Sequence, residues 1–354
     1  MLLYLLRSLQ HRSPSLSLRV RSCSSLPIVQ KSSGGRACGR SAPCGVTFIA
    51  GMECKSPTDE ADEDALSPFP HQVAGHKTSL IRYKNKYVMK SNTKPELFQR
   101  ERKFYESISG DSKQLSFIPE YFGVLSCTST MSSVCSEEKE YLLLEDLTLC
   151  FNNPNVIDIK IGLQTYEPGA SAQKILSETT KYPPQGTVGF RISGFKVYDT
   201  IEGKYTTFDK SYGRSLLTKP KIISGLSRCF PRHRHVLRSV IQQLETNVLL
   251  WVKSQQQEFC FYSSSILIIY SSDSTDDIIG DCVPKQNFSP LVAVNMIDFS
   301  HVVAVADDPD RNNSYITGIV SLIAQLRLVL SSEGGDVEKD MNDDNTTGGG
   351  ASPS

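Results

Sequence analysis

Residues 154–162 read PNVIDIKIG, and apolar and charged residues alternate along its last part. Successive side chains of a β-strand point to opposite faces, so Asp158 and Lys160 should lie side by side on one face. The isoleucines at 157, 159 and 161 then form the other face. A carboxylate beside an ammonium group suits phosphoryl transfer, because the carboxylate accepts an alcohol proton while the lysine neutralises a phosphate. The alternative is a surface ion pair on an edge strand, which spacing alone leaves open.

Two further features favour phosphoryl transfer. The segment MIDF at 296–299 places Asp298 after an apolar run and before Phe, which resembles the magnesium-binding Asp-Phe-Gly of protein kinases, although Ser300 replaces the glycine. Lys90 ends a predicted strand, and Glu101 follows eleven residues later on a predicted helix. Kinases position nucleotide phosphates with such a strand lysine held by a helix glutamate. The chain has no GxxxxGKS or GxxxxGKT segment, which excludes a P-loop nucleotide site.

The surrounding pattern predicts an α+β fold. Alternating or short apolar runs predict strands, whereas apolar residues at helical spacing predict helices. The strands follow one another without a regular strand–helix–strand rhythm, so a doubly wound parallel sheet is not favoured. The predicted strands lie at 78–90 (a hairpin), 140–144, 156–161, 187–197, 205–208, 259–270 and 291–298, and the predicted helices at 94–109, 236–252 and 314–330.

Composition limits the classes of protein that the chain can represent. Its 354 residues carry 38 basic and 38 acidic side chains, which excludes a strongly basic nucleic-acid coat protein. No run of about 18 apolar residues occurs, so the sequence predicts no transmembrane segment. Residues 1–51 contain six arginines, one lysine and no acidic residue, whereas residues 333–354 are acidic and rich in glycine. We therefore expect a disordered or targeting extension over 1–65 and a disordered acidic tail over 333–354.

The ordered set of motifs resembles the inositol polyphosphate kinase family. Residues 154–162 match the family signature PxxxDxKxG. Six further segments follow the family order, and together they are most similar to the multikinase branch. They are HQVAGH at 71–76, LEDLT at 144–148, YGRSL at 212–216, FYSSSIL at 261–267, IDFSH at 297–301 and YITG at 315–318.

The resemblance implies a two-lobed kinase-like fold with an N-terminal antiparallel sheet lobe and a larger C-terminal lobe. On this basis we expect a kinase domain over 70–331, divided into an N-lobe at about 70–144 and a C-lobe at about 148–331. A small helical insertion at about 163–185 should bind the inositol phosphate.

The same resemblance implies a role for each residue on the nucleotide side of the cleft. Lys90 should contact the phosphates of ATP with Glu101 as its partner. Asp158 should face the reacting phosphate and act as the base, and Asp298 should hold Mg²⁺. The remaining nucleotide contacts should come from the adenine hinge, formed by Glu145, Asp146 and Leu147, with Asp146 reaching the ribose.

On the acceptor side, the resemblance implies that Lys160 contacts substrate and stabilises the transferred charge. Lys174 and Lys181 are the lysines of the substrate segment, and His301 should face the inositol phosphate. The chain departs from the family here. Leu163-Gln164 lacks a cation that the multikinase pattern carries, and Glu178 would repel phosphate.

The expected function is an ATP- and Mg²⁺-dependent kinase for inositol 1,4,5-trisphosphate and inositol tetrakisphosphate. Two alternatives stay open: an inositol hexakisphosphate kinase that makes pyrophosphates, and a non-catalytic scaffold. The expected partners are soluble inositol phosphates, ATP and, as a further candidate, phosphoinositide headgroups, with no nucleic acid. We expect a monomer in the cytoplasm and nucleus, and mitochondrial targeting by residues 1–51 is the less favoured location.

Overall fold

The computed structural model describes residues 46–48, 66–75, 79–91, 93–108, 115–128, 138–231, 233–255, 258–272, 292–307 and 313–332. The predicted tail at 333–354 and, apart from 46–48, the predicted extension at 1–65 lie outside the described residues.

The N-terminal lobe is built on an antiparallel sheet, to which six described strands belong in the order β1-β5-β6-β4-β3-β2. In the hairpin between β3 and β4, Lys84 and Asn85 adopt φ values of 50° and 49°, which suits a tight turn between twisted strands. β1 and β2 precede residue 70, where the sequence analysis starts the kinase domain. The bounds are β1 Val46–Phe48, β2 Leu66–Pro68, β3 Leu80–Tyr83, β4 Tyr87–Lys90, β5 Tyr121–Thr128 and β6 Glu138–Glu145.

Helix α1, Pro95–Ile108, lies against this sheet and reaches toward the C-terminal lobe. Phe98, Phe104, Tyr105 and Ile108 recur at helical spacing and are buried, which fixes the inward face of the helix. The ring of Phe104 stacks on Phe299 of the C-terminal lobe, with centroids 4.2 Å apart. The buried face of α1 therefore orients Glu101 toward the space between the lobes.

The C-terminal lobe contains an antiparallel sheet with the described order β12-β11-β7-β8-β9. β7 is its middle strand, and Ile157, Ile159 and Ile161 are fully buried. Asp158 is also buried, so the edge-strand alternative for the Asp158–Lys160 pair is wrong. The bounds are β7 Asn155–Ile161, β8 Phe190–Asp199, β9 Lys204–Phe208, β10 Phe259–Cys260, β11 Ser265–Tyr270, β12 Val292–Ile297 and β13 Val303–Ala304, of which β10 and β13 pair separately.

Helices cover the C-terminal sheet and form the predicted insertion. The helix predicted over 236–252 is found as α6 (Arg234–Gln243), a π-helical turn at Leu244–Leu249, and α7 (Leu250–Ser254). The described helices are α2 Ala172–Lys181, α3 Gln185–Val188, α4 Lys210–Ser215, α5 Lys219–Arg228, α6 Arg234–Gln243, α7 Leu250–Ser254 and α8 Ser314–Ser332.

Helix α8 is long and apolar enough to cross a membrane by length and composition. Its residues Ile319, Leu322, Leu326 and Val329 are fully buried in the hydrophobic core of the C-terminal lobe. A core helix of a folded domain satisfies the same length and composition test, and the buried face explains the hydropathy of α8.

Candidate active site

A cleft with about 720 Å³ of empty space lies between the two sheets. A few polar side chains converge on otherwise apolar walls, as is typical of small-molecule sites. The apolar walls include Leu80, Val88, Leu144, Leu147, Val156, Leu267 and Ile297, and the polar groups include Lys90, Glu145, Asp158 and Asp298.

Lys90 is held at the cleft by two carboxylates. Its Nζ donates to Oε1 of Glu101 at 2.8 Å and to Oδ1 of Asp298 at 2.5 Å. Burial alone would lower the pKa of Lys90, but the charges of Asp298 and Glu101 raise it well above its usual value. Lys90 is therefore a fixed positive charge at the cleft, as the strand-lysine and helix-glutamate interpretation predicts.

Glu101 is buried, with 1% of its side-chain surface exposed, and it also joins α1 to the segment after β12. Its Oε1 accepts the backbone N–H of Phe299 at 3.1 Å, and its Oε2 accepts the hydroxyl of Ser300 at 2.8 Å. Ser300, which stands where protein kinases have a glycine, thus has a specific contact, because its hydroxyl donates to Glu101.

Asp298 adopts a left-handed backbone conformation, with φ of 65°. Such a conformation is uncommon outside glycine, and it places a side chain where an extended strand would not. The side chain keeps 42% of its surface exposed, so the carboxylate is accessible from the cleft. Burial works to raise the pKa of Asp298, but the charges of Lys90 and Lys160 outweigh it and lower that pKa. Asp298 is thus an ionised carboxylate.

Asp158 enters the cleft from the middle of β7, where a bulge in the pairing with β8 follows it. Its Oδ1 is buried and has no hydrogen-bond partner among the described residues. Burial, reinforced by the charge of Asp298, raises the pKa of Asp158 to about 6, although Lys160 acts in the opposite direction. A carboxylate with such a pKa is suited to accept a proton near neutral pH.

Asp298 fits a divalent metal bound together with a nucleotide. No group of three or more His, Cys, Asp or Glu side chains with metal-binding geometry occurs among the described residues. Mg²⁺ usually takes one or two carboxylates and completes its octahedral shell with waters and substrate phosphates. Asp298, which is ionised and accessible, is the residue that would hold it.

The predicted hinge residues divide into two groups. Glu145 and Leu147 line the cleft. Asp146 does not line it, because Arg82 binds its Oδ2 at 3.0 Å and Thr148 donates to its Oδ1 through both the backbone N–H and the hydroxyl. The side chain of Asp146 is fully buried, so its described contacts give it a structural role rather than the predicted contact with a ribose.

The segment 69–74 also lines the cleft, a role that the sequence analysis did not assign. Lys196 on β8 holds this segment by donating to the carbonyl of Pro70 at 3.0 Å and contacting Nδ1 of His71 at 2.6 Å. Burial and the charge of Lys196 lower the pKa of His71 to about 4, so the ring is neutral and Nδ1 accepts. Only the motif HQVAGH pointed to this segment.

Cationic side chains gather beside Asp158 at the end of β7. Lys160 Nζ donates to the carbonyl of Ser263 at 2.6 Å and to its hydroxyl at 3.0 Å. Arg191 lies opposite Lys160 in the β7–β8 pairing and is buried, and its Nη1 has no hydrogen-bond partner among the described residues. Burial and the charge of Arg214 lower the pKa of Arg191. Neither arginine was predicted as a site residue from the sequence, in which the only signals were a charged residue in an apolar strand and the motif YGRSL.

Lys174 and Lys181 lie on α2 and are already paired. Their Nζ atoms donate to Oε1 of Glu178 at 2.8 Å and 2.7 Å. Burial alone would raise the pKa of Glu178, but these hydrogen bonds lower it to about 2. The predicted repulsive carboxylate is therefore a counter-ion of the two predicted substrate lysines.

His301 contacts the predicted substrate segment. Its Nδ1 lies 3.0 Å from Oε2 of Glu167, and Arg100 of α1 binds the same oxygen. This contact connects α1, the predicted substrate segment and the loop after β12. The structure thus gathers Lys90, Glu101, Asp158 and Asp298 at one point, with Lys160 next to them on β7.

Comparison with known proteins shows that the chain is similar to members of one family. The model of the family "Inositol polyphosphate kinase" matches residues 141–327, which is more than half of the chain. The chain is 34% identical to inositol polyphosphate multikinase of Homo sapiens over 239 residues, which cover 62% of this chain and 55% of that protein. It spans only about half the length of the mammalian relatives that it matches.

A plant relative and a solved structure cover more of their own length. Inositol polyphosphate multikinase alpha of Arabidopsis thaliana is 29% identical over 295 residues, covering 74% of this chain and 95% of that protein. The crystal structure of inositol phosphate multikinase Ipk2 from S. cerevisiae, in complex with ADP and Mn²⁺, superposes with a TM-score of 0.52 at 24% identity. The superposition covers 69% of this chain and 99% of the yeast chain. This likeness confirms the predicted two-lobed α+β fold.

Proposed function

The chain belongs to the inositol polyphosphate kinase family, and from that membership we propose that it transfers the γ-phosphate of ATP to hydroxyls of soluble inositol phosphates. The acceptors proposed are inositol 1,4,5-trisphosphate and inositol tetrakisphosphate, and the products are tetrakis- and pentakisphosphates. The observation that carries the proposal is the convergence of Lys90, Glu101, Asp158 and Asp298 on one cleft beside the cationic side chains of Lys160 and Arg191.

Support for ATP with a divalent metal comes from the cleft and from a relative. The yeast neighbour was crystallised with ADP and Mn²⁺. In this chain, Lys90 supplies a fixed positive charge for nucleotide phosphates, and Asp298 is the carboxylate that would hold Mg²⁺. A divalent cation bound there neutralises charge on the transferring phosphoryl group.

The acceptor chemistry follows from the β7 residues. A bond forms between the acceptor hydroxyl oxygen and the γ-phosphorus, and the bond from that phosphorus to the β–γ bridging oxygen breaks. Asp158 takes the hydroxyl proton, since its pKa of about 6 leaves it ionised at neutral pH and still able to bind a proton. Lys160 and Arg191 offer positive charge to the acceptor phosphates.

Transfer of radiolabel from ATP to purified inositol phosphates tests the proposal. The full chain is incubated with the 1,4,5-trisphosphate, the 1,3,4,5-tetrakisphosphate or the hexakisphosphate, and products are resolved by anion exchange. We expect label on the first two. Label on the hexakisphosphate alone would support the pyrophosphate-forming alternative. Label on none of them, with nucleotide binding retained, would support the scaffold.

A further inference from the structure

Glu178 is the acidic residue that pairs with both predicted acceptor lysines. It is 8% exposed although it lies on the ten-residue helix α2, and its Oε1 accepts from both Lys174 and Lys181. Its Oε2 accepts the hydroxyl of Thr165 at 3.3 Å. Three donors on two segments therefore fix the carboxylate in place.

The carboxylate also acts on the cationic group at the end of β7. The guanidinium carbon of Arg191 lies 5.8 Å from the ring centroid of Tyr182, the residue that follows α2. The charge of Glu178 raises the pKa of Arg191, against the lowering that burial causes. Glu178 on α2 is thus close to a side chain proposed to receive acceptor phosphates. Glu178 is therefore a carboxylate that the fold surrounds with positively charged side chains.

A bound phosphate must compete with this internal anion for Lys174 and Lys181. The competition is unequal, because a carboxylate on the same short helix is present at high effective concentration. A phosphate that did reach the two lysines would leave a buried carboxylate facing a second anion, and like charges brought together are strongly unfavourable. Specificity can arise from such repulsion as well as from attraction.

Building on the proposed function, we propose that Glu178 is a specificity-determining residue that favours acceptors with three phosphates over more heavily phosphorylated ones. By holding Lys174 and Lys181, it leaves Arg191 and Lys160 to bind the acceptor. An additional phosphate directed toward α2 meets two lysines whose positive charge Glu178 partly neutralises and whose Nζ atoms already donate to its carboxylate. The charge of Glu178, rather than its packing, sets this preference.

The test compares acceptor ratios in four full-length proteins: the wild type, Glu178→Gln, Glu178→Asp and Glu202→Gln. The control residue Glu202 pairs with Lys204 at 2.6 Å, and its side chain is 56% exposed. Glu202→Gln therefore removes a charged pair outside the site. For each protein, kcat/KM is measured with the 1,4,5-trisphosphate and the 1,3,4,5-tetrakisphosphate. Calorimetric Kd values for both compounds, measured with a non-hydrolysable ATP analogue bound, give a second ratio independent of turnover.

We expect Glu178→Gln to shift both ratios toward the tetrakisphosphate by at least about tenfold. Glu178→Asp, which keeps the charge, and Glu202→Gln should keep the wild-type ratios, and KM for ATP should stay constant in all four proteins. Unchanged ratios in Glu178→Gln, or an equal shift in Glu178→Asp, would overturn the inference while leaving the kinase proposal intact. Binding without turnover in the wild type would overturn the kinase proposal, and the Kd ratios would still decide the role of Glu178. No binding of either compound would overturn both.

Discussion

The Nζ atom of Lys90 lies 2.5 Å from Oδ1 of Asp298, which joins the last residue of β4 to the residue that follows β12. The same ammonium group binds Glu101, and Glu101 accepts the backbone N–H of Phe299. One ion-pair network, buried at Glu101 and accessible at Asp298, therefore connects the two sheets. Phosphates that enter the cleft meet Lys90 already oriented by two carboxylates.

Lys90→Met should weaken nucleotide binding and remove an ion-pair contact between the lobes. We expect KM for ATP to rise at least about tenfold, since a hydrogen bond to a charged group contributes roughly 1.5–3 kcal/mol. Thermal unfolding should begin at a lower temperature, because Glu101 stays buried without its ammonium partner. Lys103→Met is the matched control, since Lys103 lies exposed on α1, the helix that carries Glu101. An unaltered KM for ATP in Lys90→Met would contradict the assignment.

Asp158→Asn should lower turnover and raise the stability of the fold near neutral pH. We expect turnover to fall by at least about a hundredfold through loss of the general base, with little change in ATP binding. The pKa of Asp158 in the folded chain, about 6, is above its ordinary value of 3.8, so the folded state binds this proton more tightly than the unfolded state does. The ionised carboxylate therefore destabilises the fold above pH 6, and this cost disappears as the pH falls toward 4.

Denaturation at two pH values checks the stability part of that prediction. Asp158→Asn should be more stable than the wild type at pH 7.5, and the difference should shrink at pH 4.5. Near-normal turnover in the variant would exclude Asp158 as the base. A lower stability at pH 7.5 would show that the Asp158 carboxylate is stabilised in the fold.

Lys196→Met should affect the nucleotide and spare the acceptor. Lys196 is buried on β8 and holds Pro70 and His71 against the cleft wall. Loss of these contacts should raise KM for ATP by about three- to tenfold, as expected for one hydrogen bond of about 0.5–1.5 kcal/mol. Lys204→Met on β9 is the control, because Lys204 is exposed. A rise in the acceptor KM instead would mean that segment 69–74 does not contact the nucleotide.

The sequence predicted the residues of the site that belong to local motifs and missed those that depend on strand register. The period of two in β7 placed Asp158 and Lys160 together, and the segment MIDF located Asp298. No local pattern states that β8 pairs with β7 so that Arg191 lies opposite Lys160, because register is set by the packing of whole strands. The partner of Asp146 was missed for the same reason, since Arg82 is 64 residues away in the chain.

A chain that starts at Met52 tests the predicted extension. Such a chain lacks β1, which pairs with β5 at the edge of the N-terminal sheet, but keeps the described residues that line the cleft. We expect unchanged KM values for ATP and acceptor and a small loss of thermal stability, because a three-residue edge strand contributes few contacts. Fluorescent fusions of both chains should be found in the cytoplasm and nucleus. Mitochondrial import of the full chain alone would favour a transit peptide in residues 1–51.

Substitutions of Lys181 and Arg191 should differ in their effect on the acceptor. Lys181 already donates to Glu178, so Lys181→Ala should raise the acceptor KM only about threefold, the size of a partly compensated ion pair. Arg191 is buried with Nη1 unpartnered among the described residues, so Arg191→Gln should raise it at least about tenfold through loss of a charge-assisted contact to phosphate. Neither change should alter KM for ATP, since Lys90 and Asp298 lie at the nucleotide end of the cleft. A larger effect for Lys181→Ala than for Arg191→Gln would show that the lysine leaves Glu178 when the acceptor binds. The phosphate-binding role would then pass from β8 to α2.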